Sequence, residues 1–333
     1  MPDDFSKYSS TTVNRTNLPH HFTPPLNHFR PHRLSFLLEY AWLKKQSHSV
    51  RFDLVHSAFY NLSKGCIHLI SHGIPHIITV HDLINELHDD LNENIINYRR
   101  NILEKSRAII AVSENTKKDL VNFYNSIDPK KVHVIHHGIN LPDIKDKKSL
   151  RIDNDKHFIL YVGHREGYKN FKILLPIVRE LAKTENIVLK VIGPKRTKEE
   201  NLKIKEYGIS KNIEFLSNVS NKELKYLYLN SLALIYPSIY EGFGIPLIES
   251  MAYGTIPVAF RTSSIPEVLG NAGIILNSHE FMKLTLIIKE LIYKPENRAK
   301  LKTQSIKRAK CFPIEKNIRK TIEVYNTVLN IEV

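Results

Sequence analysis

Cysteine and long apolar runs are both scarce in this 333-residue chain. Only two cysteines occur, Cys66 and Cys311, which excludes a disulfide framework and suits a reducing, cytoplasmic setting. No apolar run approaches the roughly 18–20 residues that a helix needs to span a bilayer. No basic segment followed by an apolar stretch opens the chain, so we expect no secretory signal. The composition, 42% hydrophobic and 25% charged, is typical of a soluble globular protein.

The net charge of +14 is unevenly distributed. Residues 1–150 carry 19 Lys and Arg against 15 Asp and Glu, and residues 151–333 carry 29 against 19. A basic balance of this kind suits nucleic acid, an anionic membrane face or anionic small ligands. Zinc-finger spacing, an RNA-binding aromatic signature and a compact Lys/Arg tract are all missing, so nucleic acid is not an expected partner. Peripheral contact of basic C-terminal helices with an anionic membrane stays an open alternative.

From about residue 50 onward, short apolar segments alternate with segments of helical periodicity. This alternation predicts an α/β fold with parallel, doubly wound sheets. The charged stretch between residues 143 and 156 has no apolar pattern and marks the predicted boundary. We expect three units: an N-terminal Rossmann-like domain over 1–145, irregular over 1–33 with a helix at 34–45; a C-terminal nucleotide-binding domain over 156–312; and a final helix within 313–333 that crosses back to the first domain.

The segment EGFGIPLIE, residues 241–249, has the strongest chemical pattern in the chain. It follows an apolar strand and places Glu241 on a glycine-broken loop and Glu249 within the first turns of a helix. Pro246 suits the first helical position, where its missing N–H costs nothing. An exposed helix N-terminus favours anions, and carboxylates accept hydrogen bonds from hydroxyls. The combination therefore indicates a site for a sugar nucleotide.

A second loop, VGHREGYKN, covers residues 162–170 and also follows a predicted strand. Ligands of open parallel sheets bind beyond the carboxyl ends of the strands. Arg165 can hold a phosphate with two hydrogen bonds, and Lys169 supplies a point charge. The alternative is a solvated basic loop without a ligand.

Fourteen of the 17 histidines precede residue 140, which raises the question of a metal site. His72 and His76 have i,i+4 spacing, but Gly73 and Pro75 lie between them and disfavour a helix that presents both. We therefore expect no metal. His81 ends a predicted strand and is followed by Asp82, so this pair is a candidate for contact with a reacting sugar. The alternative role for His81 is to orient a loop.

Several separate motifs resemble the retaining glycosyltransferases of family 4, also called group 1. The segments that carry the resemblance occur in the family's order: TVHDLINELH, AVSENTKKDL, VGHREGYKNF, EGFGIPLIE, ESMAYGTIPVAF and IPEVLGNAGIIL. The resemblance runs from about residue 50 to the end of the chain and is closest to mannosyltransferase-like bacterial members. It implies the GT-B architecture, in which two Rossmann-like domains face each other and the C-terminal one holds the nucleotide sugar.

The resemblance also implies roles for individual residues. Glu241 and the amides that follow it would meet the donor sugar, and Glu249 would bind the ribose hydroxyls. Arg165 and Lys169 would hold the diphosphate, and His81 would approach the donor from the N-terminal domain. It implies no metal, because the two cations and the helix N-terminus stabilise the leaving diphosphate. It also implies no cofactor, because the nucleotide sugar, for which GDP-mannose is favoured, is a co-substrate. The donor-binding residues expected in this way are Gly163, Arg165, Lys169, Pro194, Lys195, Gly242, Phe243, Gly244, Ile245 and Glu249, with Glu241, His81 and Asp82 as catalytic residues.

The start of the chain departs from the family pattern. Family members begin with a strand, a loop with a glycine pair and a long helix, and no such segment precedes residue 34. We therefore expect a truncated N-terminal domain that lacks its first strand and helix. The leading hypothesis is a hexosyltransferase of cell-surface polysaccharide synthesis that acts on a glycan or lipid-linked acceptor. The alternatives are a non-catalytic sugar-nucleotide-binding protein and a glycoside hydrolase that uses Glu241 and Glu249 as its acid/base pair.

Overall fold

The computed structural model describes residues 52–58, 60, 67, 70–88, 91–142 and 157–331. The predictions for the irregular segment 1–33, the helix at 34–45 and the boundary between 143 and 156 lie outside these residues.

The described part of the N-terminal half contains a four-stranded parallel sheet in the order β1-β2-β3-β4. The strands are β1 (Val55–Ser57), β2 (His76–Val80), β3 (Ala108–Ala111) and β4 (Val132–Val134). Helices α1 (Ile84–His88) and α2 (Glu93–Lys105) join β2 to β3, and α3 (Glu114–Phe123) joins β3 to β4. Helix α3 begins after Ser113, whose hydroxyl accepts a hydrogen bond from the Thr116 amide at 3.0 Å, as its N-cap position predicts.

The described part of the C-terminal half contains a six-stranded parallel sheet in the order β10-β9-β8-β5-β6-β7. Its strands are β5 (His157–Val162), β6 (Ile187–Ile192), β7 (Ile213–Leu216), β8 (Ala233–Tyr236), β9 (Ile256–Phe260) and β10 (Ile274–Leu276). The order reverses between β5 and β8, which are neighbours in the sheet. Such a reversal opens a crevice at the carboxyl ends of the strands, where ligands of doubly wound folds bind.

Helices cover both faces of this second sheet. In chain order they are α4 (Leu174–Ala182), α5 (Lys198–Glu206), α6 (Asn221–Asn230), α7 (Ile245–Ala252), α8 (Ile265–Leu269), α9 (Lys283–Tyr293) and α10 (Pro295–Ala309). The last helix of the chain is α11 (Ile314–Leu329). Successive residues of β5 point to opposite faces: Ile159 packs in the cluster with α4 and α9, and Leu160 packs in the cluster with α6, α7 and α8. Burial on both faces explains why these strands are continuous apolar runs in the sequence.

Helix α11 packs on the N-terminal sheet. Val324 lies in one buried cluster with Ile77 and Ile110, which belong to β2 and β3. The amide of Ile139 donates to the Phe312 carbonyl at 3.0 Å, just before α11 begins. The end of the chain is thereby attached to both sheets. None of the helices in the described part of the chain has the length and apolar character needed to cross a membrane.

Candidate functional site

Glu241 follows β8 at the switch point of the second sheet. The residue is only 6% exposed, and its backbone is fixed by two serines that precede α8. Its amide donates to the Ser263 hydroxyl at 2.8 Å, and its carbonyl accepts from the Ser264 hydroxyl at 2.9 Å. The loop is therefore held in place before any ligand binds.

Lys169 supplies the counter-charge of Glu241. It lies in the loop after β5, which begins at Gly163, and its Nζ is 2.7 Å from Glu241 Oε1. The ammonium also lies 5.5 Å from the centre of the Tyr236 ring. The Lys169 side chain is 16% exposed and that of Glu241 is 8% exposed, so the pair lies largely out of water. A cation placed here, beside the N-terminus of α7, suits a diphosphate.

The glycines after Glu241 bring the two halves into contact. A Cβ built on Gly242 would come within 1.7 Å of the His81 carbonyl oxygen, so only glycine fits at this approach. Gly244 has a φ of 94°, in the left-handed region, and directly precedes α7. Phe243 is buried between them, and Ile245 is 39% exposed. Helix α7 begins at Ile245, so Pro246 is its second residue and the prediction that Pro246 comes first was one position late.

Glu249 lies further along α7 and faces α6. Its carboxylate accepts a hydrogen bond from the Tyr228 hydroxyl at 3.0 Å. Burial raises the pKa of Glu249, and the bond from Tyr228 opposes this shift only in part. A carboxylate held in this way keeps lone pairs for the hydroxyls of a ligand.

Arg165 is bound by protein groups on all three guanidinium nitrogens. Its Nε lies 2.5 Å from Glu200 Oε1, and its Nη1 and Nη2 donate to the carbonyls of Pro194 and Lys195 at 2.8 and 3.1 Å. The guanidinium also lies 5.1 Å from the centre of the Phe215 ring. The guanidinium thus joins the loops after β5 and β6. It must release some of these bonds before it can hold a phosphate as predicted.

The N-terminal half contributes His81 and Asp82 directly after β2. The His81 ring stacks on His137 with centroids 5.3 Å apart, and His81 Nδ1 lies 3.3 Å from His137 Nε2. Burial lowers the pKa of both rings, that of His137 to about 3. Asp82 accepts from the Ile84 amide at 3.1 Å at the start of α1, and burial raises the pKa of its carboxyl. The rings are therefore neutral near pH 7.

A cavity of about 240 Å³ lies beside His81 and Asp82. Glu86 and Arg99 form a 2.8 Å ion pair in its wall, and the Arg99 guanidinium lies 4.7 Å from the centre of the Tyr60 ring. The Tyr60 hydroxyl is buried and has no hydrogen-bond partner in the described structure. Burial raises the pKa of this phenol well above its usual value. The described residues that line the cavity are Tyr60, Thr79, His81, Asp82, Ile84, Asn85, Glu86, Arg99 and Tyr168.

The structure thus places the predicted residues in three groups. Glu241, Lys169 and the glycine loop meet His81 at the contact between the halves. Arg165, Pro194 and Lys195 form a second group around Glu200, and Glu249 lies apart against Tyr228. Among the described residues, no group of three or more His, Cys, Asp or Glu side chains is arranged to hold a metal ion.

Sequence reasoning missed Tyr60, Glu86 and Arg99, which form one wall of the cavity. It also missed Glu267, which reaches the other half of the molecule. Tyr60 belongs to no pattern, and the 12 residues between Glu86 and Arg99 match no motif. Glu267 lies within one of the family-like segments, but no sequence pattern indicates its long-range partner.

Two parallel α/β units that touch where the loop after β8 reaches the His81 backbone define the class of fold. Solved structures with this fold include sucrose-phosphate synthase from Thermosynechococcus elongatus, with a TM-score of 0.75 at 19% identity over 97% of this chain and 88% of that one. HepE from Anabaena, in complex with UDP and glucose, has a TM-score of 0.74 at 16% identity over 92% of this chain and 84% of that one. The architecture is GT-B, as expected.

The sequence model of the family "Glycosyl transferases group 1" matches residues 143–308, and that of "Glycosyltransferase Family 4" matches residues 4–142. The chain therefore belongs to the group 1 glycosyltransferases of family 4. The second match includes the segment before residue 34, where the sequence predicts neither the first strand nor the first helix of the family.

Curated relatives point to the same family. The O-antigen chain mannosyltransferase RfbU of Salmonella typhimurium is 27% identical over 232 residues, which are 68% of this chain and 64% of RfbU. The O-antigen chain mannosyltransferase B of Escherichia coli is 29% identical over 172 residues, which are 50% of this chain and 45% of that protein. The chain thus spans less than two thirds of the length of either relative.

Proposed function

We propose that the protein is a retaining hexosyltransferase of cell-surface polysaccharide synthesis. It moves mannose from a nucleotide diphosphate sugar to a glycan or a lipid-linked saccharide. GDP-mannose is the favoured donor. The observation that carries the proposal is the buried Lys169–Glu241 pair at the switch point, next to Gly242, which lies against the His81 backbone. The mannosyltransferase names of two relatives favour mannose as the sugar.

The residues divide the work between binding and charge stabilisation. Lys169 and the N-terminus of α7 stabilise the leaving diphosphate, which develops negative charge as the sugar departs. Glu241 and the amides after it orient the donor sugar, and Glu249 holds the ribose. Front-side attack by the acceptor retains the anomeric configuration and needs no protein nucleophile. The neutral His81 contacts the donor sugar without adding a charge.

The cavity beside Asp82 suits the acceptor. Its ionisable wall contains the Asp82 and Glu86 carboxylates against the Arg99 guanidinium, which already pairs with Glu86. Within the described lining, this balance offers no free positive charge to a phosphate. It favours a neutral saccharide whose hydroxyls hydrogen bond to the Tyr60 phenol and to the carboxylates.

Peripheral contact with the cytoplasmic face of an anionic membrane is part of the proposal. Residues 294–320, which include α10 and the start of α11, carry ten Lys and Arg against two Glu. Each basic residue near an anionic surface contributes roughly 1 kcal/mol of attraction. We expect the protein to sediment with phosphatidylglycerol vesicles in low salt and to be released in high salt.

The experiment that tests the donor site is calorimetry with GDP-mannose, UDP-glucose and the free nucleotides. Glu249→Ala should weaken binding of the favoured nucleotide sugar about 10- to 100-fold, since hydrogen bonds to a charged group are lost. Tyr228→Phe is the matched control, because it removes the intramolecular partner and leaves the carboxylate. Unchanged affinity in Glu249→Ala would reject the site.

Transfer assays with pooled donors and saccharide acceptors test the reaction itself. Sugar transfer with retained anomeric configuration is the expected result. Nucleotide sugar binding without transfer to any acceptor would favour the non-catalytic alternative.

A further inference from the structure

The carboxylate of Glu267 connects the two halves of the molecule. Glu267 belongs to α8 of the C-terminal half, but both its oxygens lie 3.0 Å from the Glu114 amide at the start of α3. One oxygen also lies 3.4 Å from the Asn115 amide. These amides are separated from Glu267 by more than 150 positions in the sequence.

The two amides have no acceptor within their own helix. The first N–H groups of a helix lie ahead of the first intrahelical hydrogen bond, and the Ser113 hydroxyl satisfies only the Thr116 amide. A carboxylate is the favoured partner at this end because of the helix dipole. Glu267 therefore caps a helix that belongs to the opposite half.

His136 forms the second contact of the same carboxylate. Its Nε2 lies 2.5 Å from Glu267 Oε1, and its ring packs 5.6 Å from the Phe243 ring of the loop at residues 241–244, the donor loop. Burial alone would raise the pKa of Glu267, but the bonds from His136 and the two amides outweigh it and lower the pKa. Glu267 is therefore ionised at neutral pH and bridges two separate elements of the N-terminal half.

The other side of α8 is tied to the donor loop. Ser264, which directly precedes α8, donates to the carbonyls of Glu241 and Phe243 at 2.9 and 3.2 Å. Arg308 of α10 donates to the backbone carbonyls of Glu267 and Val268 at 2.5 and 2.9 Å. The position of the Glu267 carboxylate is thus coupled to the position of Glu241.

We propose that Glu267 is a positioning residue that holds the donor loop of one half in register with His81 of the other. The mechanical path is short: Glu267 holds His136, and the adjacent His137 stacks on His81. Each half has its own buried cluster, so loss of the carboxylate loosens this contact without unfolding either half. The catalytic consequence rests on the proposed function, and the positioning does not.

Hydrogen exchange at the Glu114 and Asn115 amides tests the positioning directly. Among the described residues of the wild-type protein, Glu267 is the acceptor that protects these two amides, because no intrahelical acceptor exists for them. We expect Glu267→Ala to speed their exchange by about tenfold or more, with protection in β3 unchanged. Glu267→Gln should fall between, since its amide oxygen still accepts from Glu114.

Glu290→Ala is the matched control, because it removes an α9 carboxylate that pairs with Lys294 at the exposed surface. This variant should leave the exchange of both α3 amides unchanged. Unprotected amides in the wild-type protein, or equal exchange in Glu267→Ala, would overturn the proposal. Loss of protection throughout β3 would mean unfolding and would overturn it as well.

Kinetics with GDP-mannose add the catalytic readout. Glu267→Ala should lower kcat roughly 10- to 100-fold through misplacement of the facing groups and leave the KM for GDP-mannose within about twofold. A raised KM with unchanged kcat would contradict positioning. If the wild-type protein transfers no sugar from any donor while the exchange result holds, the proposed function fails and the positioning stands.

Discussion

In the C-terminal half, buried polar groups at the strand ends bind one another, whereas those of the N-terminal half surround a cavity. Glu241 pairs with Lys169, and Arg165 pairs with Glu200. On the facing edge, the Tyr60 hydroxyl is buried beside about 240 Å³ of space without a partner in the described structure.

This difference fits the two substrates of the proposed reaction. A donor always presents a diphosphate and a ribose, so groups fixed in advance lose little entropy when it binds. An acceptor varies among enzymes of one family, and an open cavity with an unsatisfied hydroxyl leaves room for its hydroxyls.

Lys169→Ala should have the largest effect on activity, because it removes the central ion pair with Glu241 at the strand ends of the C-terminal sheet. Loss of the cation should lower kcat/KM for the nucleotide sugar roughly 10³-fold, as expected when charge stabilisation of a leaving group is removed. It also leaves the Glu241 carboxylate buried and unpaired, which should cost about 3 kcal/mol of unfolding free energy. Transfer kinetics and urea unfolding measure the two effects.

Lys172→Ala is the control for this variant. Lys172 lies three positions later and forms an exposed 3.6 Å pair with Glu199. Its loss should change unfolding free energy by less than about 1 kcal/mol and leave kinetics unaltered. Equal effects of the two variants would mean that the Lys169–Glu241 pair has no special role.

Gly242→Ala should disturb the contact between the two halves at His81 and leave the polar groups within each half in place. The added methyl group would lie 1.7 Å from the His81 carbonyl oxygen, so the loop and His81 must move apart. A displacement of about 1 Å at reacting groups typically lowers the rate roughly 10²-fold. Steady-state kinetics and the radius of gyration from X-ray scattering measure the result.

Gly208→Ala is the control that distinguishes a steric clash from the backbone strain of placing alanine at a positive φ. Gly208 has a φ of 69°, and a Cβ there would meet nothing within 4 Å. This control should lose about 1 kcal/mol of stability and keep its activity. If Gly242→Ala kept full activity, the contact with His81 would not matter for transfer.

The parts of this molecule that sequence could predict depend on neighbouring residues. The strands were predictable because a buried parallel strand must be apolar throughout, as Ala233–Tyr236 is. The N-cap role of Ser113 was also predictable, because its partner Thr116 is only three positions away in the sequence. The strand order was not predicted, because it depends on how helices pack on the sheet.

The partners of charged groups could not be predicted. Arg165 lies in a loop after a strand, where a phosphate-binding residue is expected. Its guanidinium is nevertheless hydrogen bonded to Glu200 and to two backbone carbonyls. Glu267 and Glu114 meet only after both halves have folded and docked. Such contacts depend on how distant segments pack together, and a single sequence does not reveal which distant residues meet.

Acid should destabilise the histidine-rich N-terminal half first. Burial lowers the pKa of His76 to about 4, whereas an unfolded histidine titrates near 6.5. The unfolded chain therefore binds a proton at a pH where the folded one does not, and stability falls as pH drops below about 6.5. Between pH 7 and pH 5 His76 alone should cost about 2 kcal/mol. Urea unfolding at both pH values, with hydrogen exchange in each half, measures this.

His76→Gln is the control for the acid effect. The His76 ring lies between the hydroxyls of Ser57 and Ser106, at 2.8 and 3.0 Å, and an amide can bond to both without titrating. The loss of stability between pH 7 and pH 5 should therefore be smaller in this variant. An unchanged pH dependence would assign the acid effect to other groups.

Tyr60→Phe should have the smallest effect on kinetics. It should also distinguish most clearly between acceptor binding by the N-terminal half and donor binding by the C-terminal half. The variant keeps the ring beside Arg99 and removes only a hydroxyl that has no partner among the described residues, so stability should stay within about 1 kcal/mol of wild type. The KM for a saccharide acceptor should rise about five- to tenfold, because one hydrogen bond is lost, with donor affinity unchanged. Tyr98→Phe, at an exposed position of α2, is the control and should change neither constant. A weakened donor affinity in Tyr60→Phe would mean that the cavity belongs to the donor and that the two edges do not divide the substrates as proposed.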